Sequence, residues 1–201
     1  MLIIAIEGLD QAGKKTQTDM LVKALRRIKI KTATFSFPDY STVIGKEIKS
    51  YLYGKRKFTP EIIHFLYAAN RHEKLDEIKK ASSKNSVLIM NRYYQSNLVY
   101  GLANGLKQNW LESLDSGLPK ADLVILLDVT QKESFSRSPQ NEKGKIMKRD
   151  KFEKNEQFSR KISKLYRTTA KKKHWKIIDA SKTKSEIHEE IVKAFSKKLG
   201  I

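Results

Sequence analysis

The nine residues GLDQAGKKT, 8–16, constrain this chain more than any other stretch. They follow an apolar run at residues 2–6 and precede a helical pattern through Leu21, Leu25 and Ile28. Strand, glycine loop and helix, with Gly8, four intervening residues (Leu9, Asp10, Gln11, Ala12), then Gly13 and Lys14, fit the P-loop, whose backbone N–H groups wrap a phosphate chain. Glycine is needed where phosphate oxygens come so close that a Cβ would collide, and where the loop turns through dihedrals other residues resist. The helix that follows aims its unpaired N–H groups and positive dipole end at the same anion. Lys14 adds a mobile cation for the β and γ phosphates. One position is out of line. The pattern wants Ser or Thr directly after the lysine, as a Mg²⁺ ligand, but Lys15 stands there and Thr16 follows one step later. A helix turns about 100° per residue, so Thr16 does not simply take over the missing ligand position.

With 201 residues and 39% hydrophobic content the chain can bury a proper core, and one domain spanning 1–201 is expected. No apolar run approaches a membrane span, and residues 2–6 are too short for a signal peptide. The absence of cysteine excludes disulfides and thiolate metal sites, and fits a cytoplasmic, heat-adapted protein. A net charge of +19 makes nucleic acid a secondary candidate partner, since clustered Lys and Arg displace counterions from a phosphate backbone. Much of the excess, however, falls on helical faces such as Lys161, Lys164, Lys171, Lys172 and Lys173, where charge is ordinarily solvated.

Along the chain, residues 31–36 read as a second strand that stops at Phe37-Pro38, and a helix is expected over 43–53. Thr59-Pro60-Glu61 starts a long helix, with Thr as cap, Pro in the first turn and Glu at the positive end. Its apolar pattern continues to about residue 81. The runs at 87–90 and 123–127 suit strands buried on both faces. Periodicity is lost from 134 to 150, and a mobile basic lid is expected at about 138–150. A basic helix over about 153–173, a last strand at 175–178 and a helix capped by Thr183 and Glu186 complete the chain. Strands alternating with helices imply an α/β fold, a five-stranded parallel sheet with helices on both faces. Ligands in such folds sit at the carboxyl ends of the strands.

Segments beyond the loop carry a resemblance. FPDYSTVIG (37–45), YAANRHE (67–73), NRYYQSNLVYG (91–101), GLPKADLVILLDV (117–129), RDKFE (149–153) and IDASK (178–182) follow one another as the matching segments do in thymidylate kinases. The chain therefore resembles that family over nearly its whole length. The resemblance implies the three-layer P-loop kinase fold, ATP-dependent phosphorylation of dTMP to dTDP, Mg²⁺ and a homodimer. It places ATP on Gly8, Leu9, Asp10, Gln11, Ala12, Gly13, Lys14, Lys15 and Thr16, with Arg137 on one face of adenine and Ala180 and Ser181 at the base edge. It gives Arg71 and Arg92 to the monophosphate, Tyr67 and Tyr100 to the faces of thymine, and Phe37, Tyr40, Ser96 and Asn97 to the surrounding contacts. Asn70 and Arg71 reach the base edge, and Asp10 meets the sugar hydroxyl. An ordinary ion pair with Glu73 or Asp76 is the alternative role for Arg71.

Phosphoryl transfer asks a protein mainly for positioning and for positive charge around the oxygens gaining it. Lys14, Arg92 and Arg149 are the expected catalytic cations, with Lys148 a rival to Arg149. Three positions depart from the resembled pattern: Lys15 replaces the hydroxyl ligand, Asn91 an aspartate that supports the metal, and Tyr40 an arginine that grips the monophosphate. A Mg²⁺ site short of a hydroxyl and a carboxylate is weakened. Two alternatives stand beside the dTMP kinase: a P-loop kinase for another nucleoside or nucleotide, and a catalytically weak nucleotide- or nucleic-acid-binding protein.

Overall fold

The structure, a computed structural model, describes residues 1–137, 152 and 155–199. Five strands, β1 Leu2–Gly8, β2 Thr32–Ser36, β3 Val87–Asn91, β4 Leu123–Asp128 and β5 Lys176–Asp179, form one parallel sheet in the order β2-β3-β1-β4-β5. Helices surround it, among the described residues α1 Lys14–Arg27, α2 Val43–Leu52, α3 Pro60–His72, α4 Leu75–Lys84, α5 Tyr94–Ala103, α6 Gln108–Leu114, α7 Gln131–Ser136, α8 Glu156–Lys172 and α9 Lys184–Leu199. The expected α/β architecture is present.

The continuous apolar runs are the inner strands, because a parallel strand covered on both faces has no side to leave polar. Every residue of β1 is buried, whereas β2 and β5, at the edges, are partly open. Leu2, Ile4 and Ile6 enter the larger core cluster, and Ile3 and Ala5 the smaller, as the two-residue period of a strand requires. The chain leaves β1 for β2 and β3 on one side and for β4 and β5 on the other. The crevice beyond the carboxyl end of β1 is therefore the topological switch point, where ligands bind.

Three local expectations are corrected. The helix expected to run from 59 to about 81 is two helices, α3 and α4, separated at Glu73 and Lys74. Ile63, Leu66 and Tyr67 of α3 pack on the larger cluster, while Leu75, Ile78 and Ala81 of α4 pack on the smaller, so one straight helix cannot serve both. Regular structure does not stop at 134, because Thr130 and Glu133 form a capping box that holds α7 to Ser136. The basic helix α8 begins later than expected, where Asn155 Oδ1 accepts the Phe158 N–H at 3.0 Å. The Thr183–Glu186 box before α9 forms as read from the sequence. The expected lid at 138–150, with Lys148 and Arg149, lies outside the described residues.

Candidate active site

The loop after β1 has the geometry its glycines suggest. Gly8 sits at φ +146°, where an added Cβ would lie 2.6 Å from the Leu127 carbonyl oxygen, and Gly13 caps α1 at φ +90°. The first turn of α1 has no side-chain cap and no acidic residue, and its positive dipole end lies at the crevice. Lys14 folds back across the loop, its Nζ donating to the carbonyls of Leu9 at 2.6 Å and Gly8 at 3.2 Å. Lys15 points outward instead. Its side chain is 82% exposed and its Nζ lies 2.8 Å from Asp19 Oδ2.

Two cavities open at this end of the sheet. One, beneath α3 and α5, is lined by Asp10, Phe37, Tyr40, Tyr67, Arg71, Arg92, Ser96, Asn97 and Tyr100, together with Pro38, Leu52, Tyr93 and Phe152. The other follows the glycine loop through Asp10, Gln11, Ala12, Gly13, Lys14, Lys15 and Thr16 to Arg137, Lys182, Thr183 and Lys184, and also takes in Asn91. Asp10, Phe37, Pro38, Tyr40 and Arg92 line both. The cavities thus meet at one junction that includes Arg92 and Asp10.

Arg92 follows β3 at φ +61°, a left-handed conformation that a non-glycine residue holds only when its surroundings enforce it. Its Nη2 lies 2.5 Å from Asp10 Oδ1. Its Nη1 donates to Ser96 Oγ at 3.2 Å and to the Tyr166 hydroxyl at 3.3 Å, and the guanidinium lies 5.6 Å from the centre of the Tyr100 ring. Beneath it, Glu7 is fully buried. Its Oε1 accepts the Tyr93 N–H at 2.8 Å, and its Oε2 accepts from Ser96 Oγ at 2.5 Å and the Tyr166 hydroxyl at 3.0 Å. Burial, then the Glu7 carboxylate, push the Tyr166 pKa up, so its hydroxyl keeps its proton and can donate. Burial works against the charge of Asp10, but the Arg92 and Lys14 cations outweigh it and hold its pKa below the usual value.

Arg71, on α3, is not paired with Glu73 or Asp76. Its Nε and Nη2 both reach the carboxylate of Asp115 at 2.7 Å, and the two side chains are 3% and 6% exposed. Asn97 Nδ2 donates to the same carboxylate at 3.3 Å, and Asn97 Oδ1 lies 2.6 Å from His64 Nδ1. His64 Nε2 lies 3.1 Å from Asn104 Nδ2 and therefore accepts, which leaves Nδ1 as the protonated nitrogen. Asn70, expected at the base edge, does not line this cavity. It is fully buried, and its amide braces the 39–42 loop by accepting the Asp39 N–H at 2.7 Å and donating to Thr42 Oγ1 at 3.0 Å and Glu73 Oε1 at 2.6 Å.

On the loop side, Arg137 is exposed and lines the cavity, but Gly8, Leu9, Ala180 and Ser181 do not. Ala180 is buried with its N–H on Asp128 O, and the Ser181 N–H and Oγ both turn to Asp179 Oδ1 at 2.9 and 2.7 Å. The Lys182, Thr183 and Lys184 segment faces the cavity in their place. Sequence reasoning assigned no role to Glu7, Asp115 or Tyr166. Only Glu7, next to the loop at the end of a buried strand, carried a signal, as a charged residue in an otherwise apolar run.

The thymidylate kinase sequence profile matches residues 6–191. Thymidylate kinase of Schizosaccharomyces pombe is 36% identical over 192 residues, covering 94% of this chain and 89% of that protein. The human thymidylate kinase is 32% identical over 192 residues, covering 94% of this chain and 87% of the human one. Among solved structures, thymidylate kinase from Candida albicans, described for its broad substrate specificity, superposes with a TM-score of 0.82 at 28% identity, covering 98% of this chain and 91% of that one.

Proposed function

The chain belongs to the thymidylate kinase family, and we propose that the two cavities are the two halves of its active site, ATP lying along the glycine loop and dTMP beneath α3. The reaction is the ATP-dependent phosphorylation of dTMP to dTDP. The observation that supports the assignment is the shared junction, since two nucleotides entering from the two cavities bring their phosphates together at Arg92 and Asp10. There a phosphate oxygen of dTMP bonds to the γ phosphorus as the bond from that phosphorus to the β–γ bridging oxygen breaks, and ADP leaves. Charge accumulates on the transferring oxygens, and the protein's task is to place cations around them before the reaction begins.

Arg92 is proposed for the monophosphate, held in place from below by Ser96, Tyr166 and Glu7. Lys14 lifts from the carbonyls of Gly8 and Leu9 to the β and γ phosphates. Arg149 is proposed as the third cation. Tyr67 and Tyr100 take the faces of thymine, Arg71 its edge, and Asp10 the sugar hydroxyl. Arg137 is proposed against adenine, with the 182–184 segment at the base edge.

The family uses ATP, generally with Mg²⁺, but this chain offers a divalent ion little. Among the described residues no group of three or more His, Cys, Asp or Glu is placed to hold a metal. Lys15 stands at the hydroxyl position and turns to Asp19, and Asn91 brings an amide where a carboxylate would be usual. These residues do not make a dedicated metal site. We propose that Lys15 supplies part of the charge an ion would bring, so that ATP binds with reduced dependence on divalent cation.

A homodimer is proposed through the outer face of α3, where Ile62 and Phe65 are 45% and 48% exposed and Phe65 meets Trp110 edge-on at 5.0 Å. No helix among the described residues is long and apolar enough to cross a membrane, and the cytoplasm is the proposed location. Nothing observed favours a different nucleotide substrate or a non-catalytic binding role. The test is ADP release with ATP across a panel of nucleoside monophosphates. dTMP is expected to give the highest kcat/KM, and a panel in which dTMP is no better than the rest would overturn the substrate assignment.

A further inference from the structure

Arg71 and Arg92 both line the monophosphate cavity, yet they are held differently. Arg92 is paired with an Asp10 that remains 35% exposed at the junction, open to exchange with an incoming phosphate. Arg71 is locked. Asp115, from the end of α6 and 44 positions away in the chain, takes its Nε and Nη2 in a bidentate pair with almost no solvent access.

Two consequences follow for what Arg71 presents to the cavity. The pair is neutral as a unit, so this end of the cavity carries hydrogen-bond donors without the net positive charge that would attract a phosphate. The guanidinium fork is also fixed in one plane, and both N–H bonds of Nη1 remain to be given. A neutral, donor-only edge fits a base with a ring carbonyl and disfavours one with an amino group in that place, because two facing donors would leave each other unpaired.

The carboxylate is itself steadied. Asn97 donates to Asp115 Oδ2, and its amide cannot turn over, since His64 holds the Asn97 oxygen on its protonated Nδ1. His64 is fixed in turn by Asn104. Neither His64 nor Asp115 lines the cavity, so both act on the base only through their partners.

We propose that Asp115, backed by Asn97 and His64, is a positioning residue for base selection: by locking and neutralising Arg71 it makes that arginine a reader of a pyrimidine carbonyl and not a second phosphate clamp. The proposal rests on the assignment of dTMP to this cavity.

The experiment is a double-mutant cycle with Asp115→Asn, Arg71→Gln and the two combined. For each, KM for dTMP and for ATP, kcat, and the ratio of kcat/KM for dTMP over dCMP are measured. Asp115→Asn is expected to raise KM for dTMP about 10- to 100-fold, the loss typical of an interaction with a charged partner, and to shrink the dTMP over dCMP ratio, with KM for ATP unchanged. In the Arg71→Gln background Asp115→Asn is expected to add at most a small loss, carried by the longer 3.3 Å contact from Asn97. Where Asp115→Asn alone does not fold, the combined variant, which buries no unpaired charge, is compared with Arg71→Gln, and nearly equal KM values for dTMP in the two are expected. Losses that add in the double variant, an unchanged dTMP over dCMP ratio in folded Asp115→Asn, or equal effects on both KM values would overturn the proposal. Failure of the unmodified chain to phosphorylate dTMP would instead overturn the functional reading beneath it.

Discussion

Arg92 Nη2 and Asp10 Oδ1 lie 2.5 Å apart where the two nucleotide cavities join, one residue from the end of β3 and the other from the glycine loop after β1. Strands that are neighbours in the sheet thus bring together a cation and an anion 82 positions apart in the chain. Replacing Arg92 with lysine keeps a charge but loses the fork that reaches Asp10, Ser96 and Tyr166 together. We expect Arg92→Lys to lower kcat by about 10²- to 10³-fold, as loss of a preorganised donor at a developing charge does, with KM for ATP nearly unchanged. Steady-state kinetics on a variant with an unaltered thermal midpoint checks this, and an unchanged kcat would remove Arg92 from the chemistry.

Lys15 leads to a second expectation. Its contact with Asp19 is an exposed pair one helical turn apart, worth about 0.3–0.5 kcal/mol, so the ammonium leaves it at little cost when a phosphate arrives. The chain should then retain measurable activity in excess chelator, and Lys15→Thr should make activity strictly dependent on Mg²⁺. Ordinary saturation with Mg²⁺, and no turnover in chelator, would count against a role for Lys15 as a partial substitute.

Tyr40 is 41% exposed and lines both cavities. A phenol gives one hydrogen bond, whereas an arginine gives a fixed charge and a fork. Tyr40→Arg should therefore lower KM for dTMP by about 10-fold, the gain from one charge-assisted contact, and leave KM for ATP alone. A KM for dTMP that stays the same or rises would show that the tyrosine is suited to this cavity as it stands.

The His64 ring sets a pH dependence of stability. Burial pushes its pKa down from 6.5 to about 4, against the opposing hydrogen bond to Asn97. A histidine with a folded-state pKa below its unfolded value contributes full stability above the unfolded value, and loses that contribution as pH falls towards the folded one. The window is therefore pH 6.5 down to about 4. A shift of this size amounts to at most about 3 kcal/mol. Urea unfolding between pH 7 and pH 4.5 should show the chain losing stability more steeply than His64→Gln. Parallel curves would mean that the ring is not held neutral by its surroundings.

How much of this could be read from the sequence depends on where the signal lies. The glycine loop, the inner strands and the caps at Thr59 and Thr183 are local patterns, set by spacing within a few residues, and they stand in the structure as the sequence implies. The break between α3 and α4 was hidden because the apolar period runs on through Leu75 and Ile78 while the core beneath it changes from one cluster to the other. Asp115 and Tyr166 were invisible for a different reason. Each meets its partner across 44 or more positions, Arg71 in one case and Glu7 in the other, and neither sits in a motif. Asn70 adjoins Arg71 in the sequence, but one step along a helix turns a side chain about 100°, here into the 39–42 loop.

The convergence of two nucleotides on one junction is tested most directly by calorimetric binding of a single molecule that carries adenosine and thymidine at the two ends of a polyphosphate chain. If the cavities meet at Arg92 and Asp10, one such molecule binds per chain, more tightly than ATP or dTMP alone, and excludes both. A molecule that competes with only one of the two nucleotides, and gains nothing in affinity from its other end, would show that the two cavities do not form one active site.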